Sequence, residues 1–381
     1  MDCSRRRTCQ KILADPRFSS AGTGNPLDYF GSFPWPAPTA VFATRMMVNL
    51  DNDEHKRKRR IVGGKLTPKF VKGLASTIKS HASEAFVKMN NSDDVLAAVG
   101  HVTTSTICDL MGIPTGDITL SNGETMMSRE QIKIAIDTVA KQPSTPEASD
   151  AMLSLAVMAG QVAQYYTDNP TEAGDIVSKL ISHQATEGGS GDKNLLSKEE
   201  LEQYFMLLLI AGTETSRSAS VIGMQKILEQ CNEDEEFNEA VLYAFTHDDD
   251  KARLLQKNLI NQTLAYVTPV RAVRRVARQT VVVDGVEYEK GDTVIISFAA
   301  INAQRPKGED PRKININSEY EPFVFGWGPH HCIGSHLAKQ EMLEIFKAFL
   351  PTLIEEGAVI DVTYSDSTFI NSPHKATKQK N

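Results

Sequence analysis

Three short runs hold residue types whose spacing can do chemistry. The sharpest is Phe325-Gly326-Trp327-Gly328-Pro329-His330-His331-Cys332-Ile333-Gly334. Two glycines and a proline make an irregular loop, and Gly334 lets a backbone or a ligand approach closely. From Ser335 onward Leu337, Ala338, Met342, Ile345, Phe346 and Phe349 recur at helical spacing as far as Leu350, and Pro351 reads as the stop. Cys332 therefore sits at a helix N-terminus, where free N–H groups and the helix dipole favour a thiolate. A thiolate so placed is a nucleophile or a metal ligand. Zinc held with His330 and His336 is conceivable, although no second Cys/His pair at zinc-finger spacing exists.

The second run is Ala211-Gly212-Thr213-Glu214-Thr215-Ser216, midway along an otherwise regular helical pattern. Glycine and clustered hydroxyls cost helix stability, because hydroxyls compete for backbone hydrogen bonds. Such a violation reads as a kink or as a functional segment. The third run, Asp51 to Arg60, puts His55 and Arg59 four residues apart on one helical face.

These runs need elements to position them. Thr8 to Leu13 reads as a short helix and residues 21–50 as a Pro- and aromatic-rich loop. Residues 52–165 read as mostly helical, with breaks near Gly112 to Gly123 and Pro143 to Pro146. After a glycine-rich linker at Gly188 to Gly191, a capping box at Ser197 to Glu200 opens a helix reaching about Gln230, some 50 Å long. Acidic groups at Asp234 to Glu236 and Asp248 to Asp250 read as solvated connections. Thr280 to Tyr288 is a hairpin around Asp284-Gly285, and Thr293 to Phe298 a further strand. The expected fold class is mainly α with a minor β-sheet.

The chain has 381 residues, 41% hydrophobic and 23% charged, which excludes wholesale disorder, collagen and a coiled coil. A net charge of −7 argues against a dedicated nucleic-acid binder. Five scattered cysteines form no disulfide framework and fit a reducing compartment. No signal peptide is evident, and the longest apolar run, Phe205 to Ala211, is far too short to span a bilayer. The expected location is cytoplasmic, with no membrane partner.

The cysteine run resembles the haem-binding loop of the cytochrome P-450 superfamily, Phe-x-x-Gly-x-x-x-Cys-x-Gly. The resemblance implies haem b between a long central helix and this loop, with Cys332 as the iron ligand and Phe325, Gly326, His330 and Gly334 around it. Thiolate donation to iron favours O–O cleavage. Glu214 and Thr215 are similar to the family's oxygen-activation pair, in the family's order and spacing, 117 residues before Cys332. Ala211 would lie against the haem. His55, Arg59, Arg275 and His330 match groups that bind the two propionates, since a buried carboxylate needs pairing. Asp15-Pro16-Arg17-Phe18 is similar to an early family signature, so the likeness covers residues 10–350.

Two departures stand out. The family's Glu-x-x-Arg appears as Gln262-Thr263-Leu264-Ala265, leaving Arg312 as the expected remnant of a buried network. The haem-loop scaffold should then be softer, and Gln262→Glu with Ala265→Arg should raise the melting temperature. The early signature also begins about fifty residues sooner than in soluble relatives, so the expectation is one domain over 1–381, N-terminally shortened, with a mobile tail from about 372.

The function implied is a haem-thiolate monooxygenase, inserting one oxygen atom from O2 into a small, largely apolar molecule, in keeping with secondary metabolism. Without a flavin or iron–sulfur motif, electrons must come from a ferredoxin or flavodoxin and its reductase, docking near Lys56, Arg57, Lys58, Arg60 and Lys339. Phe30, Phe33, Trp35, Leu208, Gly212, Ala272, Val273 and Arg274 are the expected substrate pocket. A monomer is expected. The rivals are partner-independent haem chemistry (peroxygenation, isomerisation, dehydration, oxidative coupling) and a silent haem-binding recruitment module.

Overall fold

The computed structural model describes residues 6–22, 45–64, 66–141, 145–169, 198–364 and 371–379. Phe30, Phe33, Trp35, the linker at 188–191 and the capping Ser197 lie outside them. Helix α1 (Arg6–Ala14) buries Cys9, Ile12 and Leu13 along one side. It leads into strand β1 (Phe18–Ser19). Cys9 is disulfide-bonded, unlike Cys108, Cys231 and Cys332, which are free.

Helices α2 (Asn52–Gly63), α3 (Pro68–Gly73), α4 (Ala75–Ser92), α5 (Val95–Leu110), α6 (Arg129–Lys141) and α7 (Pro146–Asp168) follow. Their starts are written locally. Asp94 accepts from the N–H of Ala97 at 2.9 Å, and Thr145 from that of Ala148 at 3.2 Å with Pro146 just inside the helix.

Helix α8 (Lys198–Glu233) runs 36 residues, about 54 Å. Leu201, Phe205, Leu209, Val221, Met224 and Leu228 are buried around its circumference. A helix with so little polar face belongs in the interior, and α5 and α7 pack against it. Helices α9 (Glu235–Thr246) and α10 (Asp250–Val267) start at Asp234 and Asp249, whose carboxylates cap them at 3.0 and 2.7 Å. The acidic groups are thus helix caps as well as solvated charge.

The chain then turns to β structure. Strand β2 (Ala272–Ala277) is followed by the hairpin β3 (Val281–Val283) and β4 (Val286–Tyr288), and by β5 (Thr293–Ser297). Asp284 and Gly285 have φ of 51° and 81°, the pair of positive values a two-residue turn demands. Strand β2 lies between β1 and β5, antiparallel to both, with Arg275 opposite Val294. Sequence analysis did not find β2, because Ala272-Val273-Arg274-Arg275 shows no clean apolar alternation.

Helix α11 (Phe298–Asn302) leads to the cysteine loop, then α12 (Ser335–Glu355) and strands β6 (Val359–Tyr364) and β7 (Pro373–Gln379). Helix α12 also packs on α8. It runs past Pro351 instead of stopping there. One lost N–H bond is outweighed by carrying Leu353 and Ile354 into the core, 0% and 9% exposed. Residues 373–379 are paired along β6, not a mobile tail. One large apolar cluster joins the helices, and a smaller one gathers α1 around β2 to β5 with Phe298 and Phe323. No helix among the described residues is long and apolar enough to cross a membrane.

Candidate active site

The cysteine loop is fixed from both ends. The Cys332 N–H donates to the Phe325 carbonyl at 2.8 Å. Gly326 and Gly328 have φ of 67° and 73°. A Cβ on Gly328 would lie 2.9 Å from the Leu13 carbonyl oxygen and 3.0 Å from the Ala14 Cα, so only glycine lets this loop dock on the end of α1. Gly334 differs: a Cβ there would meet only the Cys332 Sγ, at 4.0 Å. Among the described residues no other atom outside its chain neighbours lies within 4 Å of that position. Cys332 is itself exposed, yet burial pushes its thiol pKa up, against the Gly334 N–H and the Arg59 charge. Both hold for a sulfur that lines a recess instead of the outer surface.

The His/Arg residues expected to bind propionates do come together. His55, 2% exposed on α2, stacks on the His330 ring at 4.0 Å. Burial first depresses both histidines, followed by Arg59 and Arg275 for His55, and by His55, Arg275 and Arg59 for His330, which falls to about 3; Asp51 opposes in each case. Burial also lowers Arg59, with the Cys332 thiolate opposing. The acid nearest this group is Asp51, 3.9 Å from His330 Nε2. Asp51 already accepts from Ser19, the N–H groups of Ser20 and Ala21, and Arg278. Among the described residues Arg59 has no carboxylate partner. Arg275 donates to the Arg274 carbonyl at 2.7 Å. Two histidines and Arg59, which among the described residues face only the committed Asp51, fit a ligand that brings carboxylates of its own. The open space at Gly334 fits the same ligand.

Helix α8 is uncovered at one point. Ala211 is exposed, and Gly212 and Thr215 half-buried, in the midst of a buried helix. Positions 211, 212 and 215 share one face. The Thr215 hydroxyl donates to the Ala211 carbonyl at 2.9 Å.

Glu214, one residue earlier, points elsewhere. It is 5% exposed and paired with Arg217, which also holds Asp137; it accepts from Ser218 at 3.2 Å and from Ser372. The structure therefore does not bring the Glu214 carboxylate to the Thr215 face.

The expected pocket residues divide. Leu208 is buried at 8%. Gly212 has a packing explanation, since a Cβ would fall 2.5 Å from Ile107 Cδ1 on α5. Val273 lies on the Arg275 face of β2, whereas Ala272 and Arg274 lie on the other. One cavity cannot receive all three. The docking patch shrinks too, because Lys58 is 3% exposed and donates to the Arg45 carbonyl and Gln203, while Arg57 pairs with Glu200.

Arg312 is no buried remnant. Its side chain is 86% exposed and bonds Asp310 at 2.9 Å. Gln262, 1% exposed, keeps a buried Nε2 with no partner, and Ala265 is packed at 5%. An arginine at 265 would have to enter that packed core, so the double substitution proposed from the sequence is not expected to stabilise.

Sequence reasoning missed Glu341. It is fully buried on α12, its oxygens lack a hydrogen bond of good geometry, and burial raises its pKa to about 8 against the pull of the Ser216 hydroxyl. Its spacing, four from Leu337 and four before Ile345 on an apolar face, was the available signal.

The chain matches the cytochrome P450 family over residues 161–355. It is 28% identical over 355 residues to a steroid C26-monooxygenase of Mycolicibacterium smegmatis, covering 87% of this chain and 75% of that protein. It is 26% identical over 363 residues to a vitamin D3 dihydroxylase of Streptomyces griseolus, covering 92% and 80%. Its fold matches the crystal structure of P450BioI in complex with acyl carrier protein ligated to hexadec-9Z-enoic acid, with TM-score 0.78 at 18% identity over 100% of this chain and 92% of that one.

The chain belongs to the cytochrome P450 family. It is a P450-type monooxygenase with haem b on a cysteine axial ligand, acting on apolar organic substrates and requiring O2 and a redox partner.

Proposed function

We propose that Cys332 is the axial ligand, and that the enzyme hydroxylates an unactivated C–H bond of a steroid-like molecule. The observation that carries the site is the stacking of His55 on His330 beside Arg59 and Arg275, with Arg59 near the Cys332 sulfur. The steroid class rests on the relatives' substrates, a steroid and vitamin D3.

When bound, haem supplies the chemistry that activates dioxygen. His55, Arg59, Arg275 and His330 hold its propionates, with Phe325, Gly326 and Gly334 leaving room around the sulfur. Ala211, Leu208 and Val273 keep water from the substrate side. Thr215 holds a proton at Oγ1, on the uncovered Ala211 face of α8, and presents it to the substrate side by releasing the Ala211 carbonyl. Glu214 replenishes that proton only after parting from Arg217 and taking up a proton from solvent, so proton delivery is coupled to a side-chain movement.

Electrons come from a ferredoxin or flavodoxin, which docks by Lys56 and Arg60 beside the cysteine loop. Residues 1–381 act as one domain, in the cytoplasm, where reduced carriers of this kind are available.

The test is the absorption spectrum of the reduced protein under carbon monoxide. The red-shifted Soret band of thiolate-bound haem is expected, and its loss in Cys332→Ser. A histidine-type band in the parent chain would sink the ligand assignment. Steroids and vitamin D3 should then shift the ferric spin state at micromolar concentration, and no shift with either would remove that substrate class. In Thr215→Ala, product formed per NADPH should fall while hydrogen peroxide rises.

A further inference from the structure

Away from the haem site, helices α4 and α5 carry a second set of groups able to bind an ion. His81 and Glu84, three apart, share one face of α4, and His101 comes from α5, which packs against it. Their three candidate donor atoms lie within 4.8 Å of one another, and no other such triad exists among the described residues. The zinc set of His330, Cys332 and His336 is therefore not formed.

Two of the donors are oriented from behind. The Asp109 carboxylate lies 2.7 Å from His81 Nε2 and is itself held by Arg129 at 2.6 Å. That fixes the ring by one nitrogen and leaves Nδ1 with a lone pair. Glu84 accepts from the Ser80 hydroxyl at 3.3 Å through Oε1. Its Oε2 is 3.8 Å from His101 Nε2, too far for a hydrogen bond. His101 Nε2 is buried and has no hydrogen-bond partner. A buried imidazole nitrogen left unsatisfied in front of a carboxylate is costly unless something bridges them. Two ligands on tetrahedral zinc, with bonds near 2.05 Å, stand roughly 3.3 Å apart, so the gap closes with a shift of about half an ångström by the exposed Glu84.

We propose that His81, Glu84 and His101 form a zinc site that clips α4 to α5, with water as the fourth ligand. Two nitrogens and one carboxylate suit zinc over magnesium or calcium, which prefer oxygen. The electrostatics are mixed. Lys88 and Lys133 lie close enough to His101 to act on it electrostatically. Lys88, Lys133 and Arg129 weaken the attraction for a cation, and Glu84 and Asp109 strengthen it.

The test uses tag-free, haem-loaded protein, in which Cys332 is engaged, titrated with zinc chloride by calorimetry. One zinc per chain at micromolar affinity is expected, with the thermal midpoint raised by several degrees. Glu84→Gln, an exposed change that leaves the fold intact, should weaken binding about tenfold, and His101→Ala should abolish it. Absence of a one-to-one event in the parent chain, or equal affinity in Glu84→Gln and the parent, would overturn the proposal and leave the triad as an ordinary charged cluster.

Discussion

The imidazoles of His55 and His330 stack at 4.0 Å with their planes 28° apart, one from helix α2 and the other from the cysteine loop. Rings this close stack without repulsion only while both are uncharged, and burial with the neighbouring arginines keeps them so. The loop and the helix are thus joined by a contact that carries little charge of its own, beside arginines that carry a great deal. Without its ligand the cluster is a source of strain; with two propionates it becomes an attachment point. Haem binding and folding stability are therefore linked through these four side chains.

Arg59 should show this as a change of sign. In Arg59→Leu the haem-free protein is expected to melt higher, because a half-buried cation without an acid partner is gone. The haem-loaded protein should melt lower and lose haem on dialysis at least about tenfold more readily, as a charge-assisted bond of about 1.5–3 kcal/mol is removed. Parallel melting curves of the two forms decide it, and shifts of the same sign would exclude a propionate role.

The pair of Glu214 and Arg217 is buried, 5% and 3% exposed. Arg217→Met strands Glu214 and should cost about 3–5 kcal/mol. Glu214→Gln leaves Arg217 its bond to Asp137 and should cost less, about 1.5–3 kcal/mol, and the double variant less than the sum. Urea unfolding measures all three. Additive losses would mean the pair does not act as a unit.

Glu341 predicts a pH dependence. Its folded pKa is raised to about 8 from an ordinary 4.5, so between those values the folded chain holds a proton that the unfolded chain has lost. Stability therefore falls as pH rises from about 4.5 to about 8 and is level above. Glu341→Gln lacks this slope and should gain on the parent by a few kcal/mol, to order of magnitude, between pH 5 and pH 8. Thermal midpoints at the two pH values test it, and a constant offset would count against a protonated Glu341.

Gly212 tests what the irregular segment of α8 is for. Gly212→Ala should destabilise by about 1–3 kcal/mol through collision with Ile107, despite alanine's better helix propensity. Adding Ile107→Ala should recover part of that loss relative to the two changes taken separately. If Gly212→Ala left stability intact but altered substrate binding, the glycine would belong to the pocket.

The cysteine loop, the His55/Arg59 face and the Ala211–Ser216 segment are legible because each is a short run whose spacing already implies one surface. Direction within a run is not legible. Glu214 and Thr215 are neighbours in sequence, but Asp137 and Ser372, from distant parts of the chain, draw the glutamate network to one side. Lys58 read as surface charge because basic residues flank it, whereas the Arg45 carbonyl and Gln203 give it a buried seat. Strand β2 escaped notice because two of its six residues are arginines serving opposite faces.

The segment that carries Ser372 gives a practical warning. Asn371 bonds the backbone at Val267 and Pro269, Ser372 bonds Glu214, and β7 then pairs along β6, with Lys378 reaching Asn90 and Glu356. Residues 371–379 thus tether the interior acid to the outside of the molecule. A protease cut or a shortened gene ending before Ser372 would remove a donor from Glu214 and uncover an edge of β6, so preparations should be checked for an intact C-terminus before low turnover is blamed on the substrate.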